Sequence, residues 1–158
     1  MATRNGDNRS RKGMPGQPVG VIFNNVITVQ VDAESFNKYR RDGQELLKAA
    51  KRGDAAKLQR LIDQGAPVNF TDQTDHATAL HYIAAYDARP ALRVVLACDK
   101  CDFLIRDREG RLPSEIAREY GHDRAMARLL LIKEIRQAQA KGIDPGSLYR
   151  LSSRKPAS

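Results

Sequence analysis

Apolar residues recur along this chain at two spacings. Between Val19 and Val31 the spacing is that of strands. Val21, Ile22 and Phe23 precede Asn24 and Asn25, and Ile27, Val29 and Val31 then alternate with Thr28 and Gln30. Alternation of this kind marks a half-buried strand, and an Asn pair tolerates the positive φ of a two-residue hairpin loop. A short β-hairpin is therefore predicted over 19–31, packed on the first helices or offering an edge to a partner strand. From Ala33 onward the spacing is helical. Asp32 is placed to cap a short helix over Ala33–Arg41, anchored by Phe36 and Tyr39 and ended by Gly43. Further breaks are expected at Gly53, Gly65, Pro90, Gly110, Gly121 and Gly142. Leu129, Leu130, Leu131, Ile132 and Ile135 carry a last long helix towards Ala140. Asp144 and Pro145 then read as N-cap and first helical residue of a short segment bearing Leu148, Tyr149 and Leu151, able to fold back over the preceding helices.

The helical region repeats itself. Stretches beginning at Gln44, Thr78 and Leu112 align residue for residue, each 34 positions after the last. In the second half of each unit Leu58, Leu61 and Ile62 recur as Leu92, Val95 and Leu96, then as Met126, Leu129 and Leu130. The following loops match as well, Ala66–Asp72 against Cys101–Asp107. Leu58, Leu61 and Ile62 share one helix face, which a single helical hairpin cannot cover. Stacked neighbours must bury it, and about three units are the minimum for stability.

Gly65-Ala66-Pro67-Val68-Asn69, Thr78-Ala79-Leu80-His81 and Leu112-Pro113 carry the resemblance: the unit is similar to an ankyrin repeat, whose usual period is about 33 residues. The likeness spans about residues 44–134. It departs from the family pattern at Ala79, where Pro is missing, and at Asp87, near where Gly is expected. Lys100 and one residue within Thr71–Ala77 read as insertions. The resemblance implies an all-α stack of helix–turn–helix hairpins, with the short N-terminal β-hairpin added. The divisions that follow are a disordered basic arm at 1–18, the hairpin and capping helix at 19–43, repeats over about 44–72, 73–107 and 108–134, a C-terminal capping extension at 135–151, and a loose tail at 152–158.

Composition narrows the picture. Aromatic residues are 6% of the chain and Trp is absent, so the core rests on Leu, Ile, Val and Ala. The net charge of +8 is uneven. Arg4, Arg9, Arg11 and Lys12 outnumber Asp7 at one end, and Arg136, Lys141, Arg150, Arg154 and Lys155 outnumber Asp144 at the other. Between them the body is nearly neutral. No apolar run reaches the ~18 residues that span a bilayer, and Asn24 and Asn25 interrupt the one candidate leader segment. A cytoplasmic protein with no membrane partner is expected.

Candidate chemistry is sparse. Cys98-x-x-Cys101 with His76 and His81 has ligand types that suit zinc. However, His81 sits in the slot where the resemblance implies a hydrogen bond to loop backbone, and Cys101 takes the place of an Ala, as a small hydrophobe does. No metal and no cofactor are expected. Without a nucleophile on a strained turn or a Gly-rich phosphate loop, no enzymatic activity is expected either. The resemblance implies instead a binding module, an adaptor or scaffold gripping a partner protein with its loop tips and the concave face formed by its first helices. Carried onto this chain, those positions are Lys51, Arg52, Gln73, Thr74, Asp75, Ala77, Tyr86, Arg108, Glu109, Arg111, Glu119 and Tyr120. The mixed-charge loop around Arg108 and Arg111 favours a partner with acidic spots. The alternative is a nucleic-acid or acidic-polymer binder working through its basic ends.

Overall fold

A computed structural model describes residues 32–120 and 123–152. The predicted β-hairpin, the N-terminal arm, Gly121 and the tail after Ser152 lie outside the described residues. Among these the secondary structure is entirely helical: α1 Ala33–Arg52, α2 Ala55–Asp63, α3 Ala79–Tyr86, α4 Arg89–Leu96, α5 Pro113–Tyr120, α6 Arg124–Ala140 and α7 Pro145–Ser152. No helix of the described residues is long and apolar enough to cross a membrane. The chain divides into two compact units, Met1–Arg41 and Asp42–Ser158. In the described part of the first unit, the Asp32 carboxylate accepts the Ser35 N–H at 2.6 Å and starts α1, and Phe36 and Tyr39 are about half exposed.

The second unit carries the repeats. The first helices are the C-terminal part of α1, then α3 and α5; the second helices are α2, α4 and α6. α3 packs on α5, α2 on α4, α5 on α6, and α7 closes on α6. Leu46, Leu58, Leu80, Ile83, Val95, Leu112 and Leu130 are fully buried. Ala49, Ala50, Ala79, Ala84, Ala91 and Ala117 are buried among them and leave room for close helix approach.

One expectation fails. Gly43 does not end a helix. It lies buried inside α1, which runs unbroken for 20 residues. The reason is contact rather than backbone freedom: a Cβ on Gly43 would lie 2.3 Å from the Phe70 ring. Because no capping residue stands at Gln44, the position equivalent to Thr78, the first repeat borrows its first helix from a longer one. Pro90 likewise breaks nothing. It sits in the first turn of α4, where its missing N–H costs nothing.

The turns between paired helices obey the repeat. Gly53 and Asp87, 34 residues apart, both adopt left-handed backbone, with φ of 66° and 53°. Asp is among the few non-Gly residues that tolerate this region, at a cost of roughly 1–2 kcal/mol. The glycine missing from the motif is thus missed by the backbone too, and the conformation persists without it.

Two stability outcomes follow. Gly43→Ala should destabilise the protein by about 2 kcal/mol, the order of an overpacked core position, as read by urea denaturation. Asp87→Gly should stabilise it by about 1 kcal/mol in the same measurement, since glycine removes the left-handed strain.

Candidate functional site

The loops between successive repeats end in two projecting fingers built on the same plan. In the first, the Asp72 N–H donates to the Ala77 carbonyl at 2.9 Å; in the second, the Asp107 N–H donates to the Arg111 carbonyl at 3.0 Å. Each Asp also turns its carboxylate inward. Asp72 accepts the Thr74 N–H at 2.7 Å, and Asp107 accepts the N–H groups of Glu109 and Arg111 at 3.0 and 2.9 Å. These bonds hold the Asp72 carboxyl below its ordinary pKa, the Thr74 N–H foremost. The residue before each closing position is left-handed, His76 in the first finger and Gly110 in the second. The first finger is one residue longer, which locates the insertion within Thr71–Ala77. The Arg108 N–H donates to the Asp75 carbonyl at 2.7 Å and ties the two fingers together.

Side chains register one loop against the next. Asn69 donates to the Lys100 carbonyl and accepts the Asp102 N–H, both at 2.8 Å. One unit further on, Gln137 accepts the Phe103 N–H at 2.7 Å and donates to the Cys101 carbonyl at 3.1 Å. His81 does the same for the second finger. Thr78 brings its N–H to His81 Nδ1 at 3.1 Å and its hydroxyl to the same atom at 2.9 Å, leaving Nε2–H to donate to the Arg111 carbonyl at 2.9 Å. Both ring nitrogens of His81 are therefore engaged. Burial pushes its pKa below the ordinary histidine value. Cys101 is buried, and its thiol is pushed up to about 12, chiefly by desolvation. Among the described residues, no three His, Cys, Asp or Glu side chains gather as a metal site.

The structure sorts the twelve expected contact residues. Gln73, Thr74, Arg108 and Glu109 are exposed on the fingers, and Arg52 and Glu119 are exposed on first helices. Lys51 lies 3.6 Å from Asp72 and over the Tyr82 ring at 4.6 Å. Asp75 is half buried and turns inward, accepting the Tyr82 hydroxyl at 2.9 Å. Ala77 is 5% exposed; its methyl is covered where it closes the first finger, so it offers a partner no surface. Tyr86 and Tyr120, again 34 residues apart, are 63% and 51% exposed. Arg111 is half buried, pairs with Asp107 at 3.0 Å and Glu119 at 3.3 Å, and donates to the Tyr120 hydroxyl at 3.0 Å while stacking 5.4 Å from its ring.

Sequence reasoning missed the residues that hold this surface in place. Asp72 and Asp107 could have been found, because they occupy the same loop position in two repeats. Glu134 could not. It is fully buried inside α6 and accepts the Ser114 N–H at 2.8 Å, the Ser114 hydroxyl at 2.6 Å and the Tyr149 hydroxyl at 3.1 Å. The start of α5 has Leu112 where α3 has Thr78, and Leu112 has no side-chain oxygen. Glu134 supplies the missing cap, and Glu115 repeats the backward reach of His81, accepting the Leu112 N–H at 2.8 Å.

The ankyrin-repeat family model matches residues 46–141, in three copies. No curated protein matches the chain.

His81 gives this scaffold a pH signature. Its folded-state pKa is depressed, so the unfolded chain takes up the proton first and stability falls as pH drops below 6.5. His81→Gln keeps a side-chain acceptor but removes the titrating ring. Urea denaturation from neutral pH to about pH 5 should show a flatter pH dependence for the variant than for the wild type.

Proposed function

From the chain's membership of the ankyrin-repeat family, whose repeats are protein–protein interaction modules, we propose that this protein is a non-catalytic adaptor gripping a partner protein across its first helices and fingers. One observation carries this reading: Tyr86 and Tyr120 stand exposed at the same position of consecutive repeats. Large aromatics are costly to leave in water and are enriched among the residues that dominate binding energy. The Arg111 guanidinium, itself held by ion pairs, stacks on the Tyr120 ring and donates to its hydroxyl, so little side-chain entropy is left for Tyr120 to lose on association. Arg108 and Glu109 at the second fingertip and Gln73 and Thr74 at the first form the polar rim, and Lys51, Arg52 and Glu119 extend it along the first helices. The partner surface that fits presents pockets for two rings and acidic groups opposite Arg108 and Arg52. The cytoplasm is the compartment this reading favours.

The test is affinity capture with the full chain, comparing wild type with Tyr86→Ala/Tyr120→Ala. The double variant should lose its captured protein or bind it about a thousandfold more weakly, the effect of two anchors of about 2 kcal/mol each. Equal capture by a folded double variant would move the interface elsewhere.

A further inference from the structure

The near-neutral body is uneven in where its acids lie. Lys48 on α1 and Lys57 on α2 pair with Glu45, Lys51 with Asp72, Arg106 with Glu115, and Arg111 with Asp107, Glu109 and Glu119. Arg52, Arg108 and Arg118 enter no ion pair among the described residues, but they stand among these acids. The second helices have fewer acids. Arg60 on α2, Arg93 on α4, and Arg124, Arg128, Lys133 and Arg136 on α6 enter no ion pair among the described residues. The acids on these helices are Asp63, which accepts from Gln59, and Glu134, which is buried.

Lys133 is half buried on the packed side of α6, whereas the five arginines are exposed and belong to one surface. The start of α4 lies beside the turn before α2, with the Cβ of Ala88 3.4 Å from where a Gly53 Cβ would stand. It lies beside the start of α6 as well, where Arg89 pairs with Asp123, the α6 N-cap. The three second helices therefore run as a row. On α6, the residues buried at i, i+4 intervals are Met126, Leu130, Glu134 and Ala138. The opposite ridge, Arg128, Ile132 and Arg136, faces water, with Leu129 next to it. Ile132 is 41% exposed, held between two arginines one turn to either side.

We infer that the outer face of the second helices, centred on Arg128, Ile132 and Arg136, is a docking surface for an anionic phospholipid bilayer. The spread of the charge favours this occupant over a peptide. A partner helix about 10–12 Å across covers a single groove, whereas the unpaired cations occupy three neighbouring helices. The exposed aliphatic side chains favour it over nucleic acid. A duplex would set phosphates against Ile132 and Leu129, and this face has no aromatic ring on which an unpaired base could stack. At a bilayer both groups are satisfied. Arginine stems lie along the apolar boundary with their heads at lipid phosphates, and Ile132 and Leu129 enter the acyl edge. Clusters of four to eight basic residues on such a helix are the usual means of holding acidic lipids. The surface is separate from Tyr86 and Tyr120, so either assignment can fail without the other.

The test is co-sedimentation of the full chain with phosphatidylcholine vesicles, with and without phosphatidylserine. Binding should require phosphatidylserine and weaken as salt is raised. Arg93→Glu/Arg128→Glu, both on exposed side chains, should lower the partition coefficient at least about 25-fold, roughly fivefold for each basic residue lost. Ile132→Ser should lower it several-fold and leave the salt dependence unchanged. Absence of binding to phosphatidylserine vesicles overturns the inference. So does undiminished binding by the charge-reversed variant, which would give the attraction to the basic chain ends. Preference for a short DNA duplex over the vesicles, insensitive to Ile132→Ser, overturns it in favour of nucleic acid.

Discussion

A hairpin of two eight-residue helices, such as α3 with α4, has more apolar surface than its own partner helix can cover, and the neighbouring repeat must meet the remainder. Everything else in the repeat region depends on that lateral contact. It buries Leu80, Ile83 and Val95 completely, and it brings polar groups of one repeat within reach of backbone in the next. Asn69 and Gln137 spend their hydrogen bonds, and His81 its Nε2, on a loop 30 to 36 residues away. Packing supplies most of the driving force, while these directional bonds set the register in which the fingers project.

The parts of this arrangement written in a fixed period were readable in the sequence. The 34-residue spacing gave the hairpins, the loop alignment gave both fingers, and the left-handed turn at Asp87 sits where a glycine was expected. What escaped reading depends on partners distant in the chain. Gly43 looked like a helix terminator because glycine usually is one, and only the position of Phe70 explains it. Glu134 carries no signal of its own in the sequence, and only its approach to Ser114 makes it a cap. Ala77 and Asp75 lay in a predicted contact loop, yet the finger uses one to close and the other to hold Tyr82. Propensity and period describe neighbours in sequence; they are silent on which polar atom a buried carboxylate will find.

Charge shows the same limit. Counting from one end of the body to the other nearly cancels, because bases of the helices are offset arithmetically by aspartates in caps and loops, among them Asp54, Asp87, Asp99, Asp102 and Asp123. In the folded unit the fingers and first helices mix ion pairs with the free Arg52, Arg108 and Arg118 around exposed tyrosines, whereas on the second helices Asp63 is the one exposed acid among the described residues. The two faces therefore present different chemistry to whatever approaches them.

The cap that Glu134 lends to Ser114 has a bearing on how the chain comes into being. A nascent polypeptide emerges N-terminus first, so α5 leaves the ribosome with its leading amide unsatisfied and must wait twenty residues for the carboxylate that completes it. The third hairpin cannot be finished piecemeal. A transcript cut short between the two helices would yield not a shorter array but one with a frayed last rung.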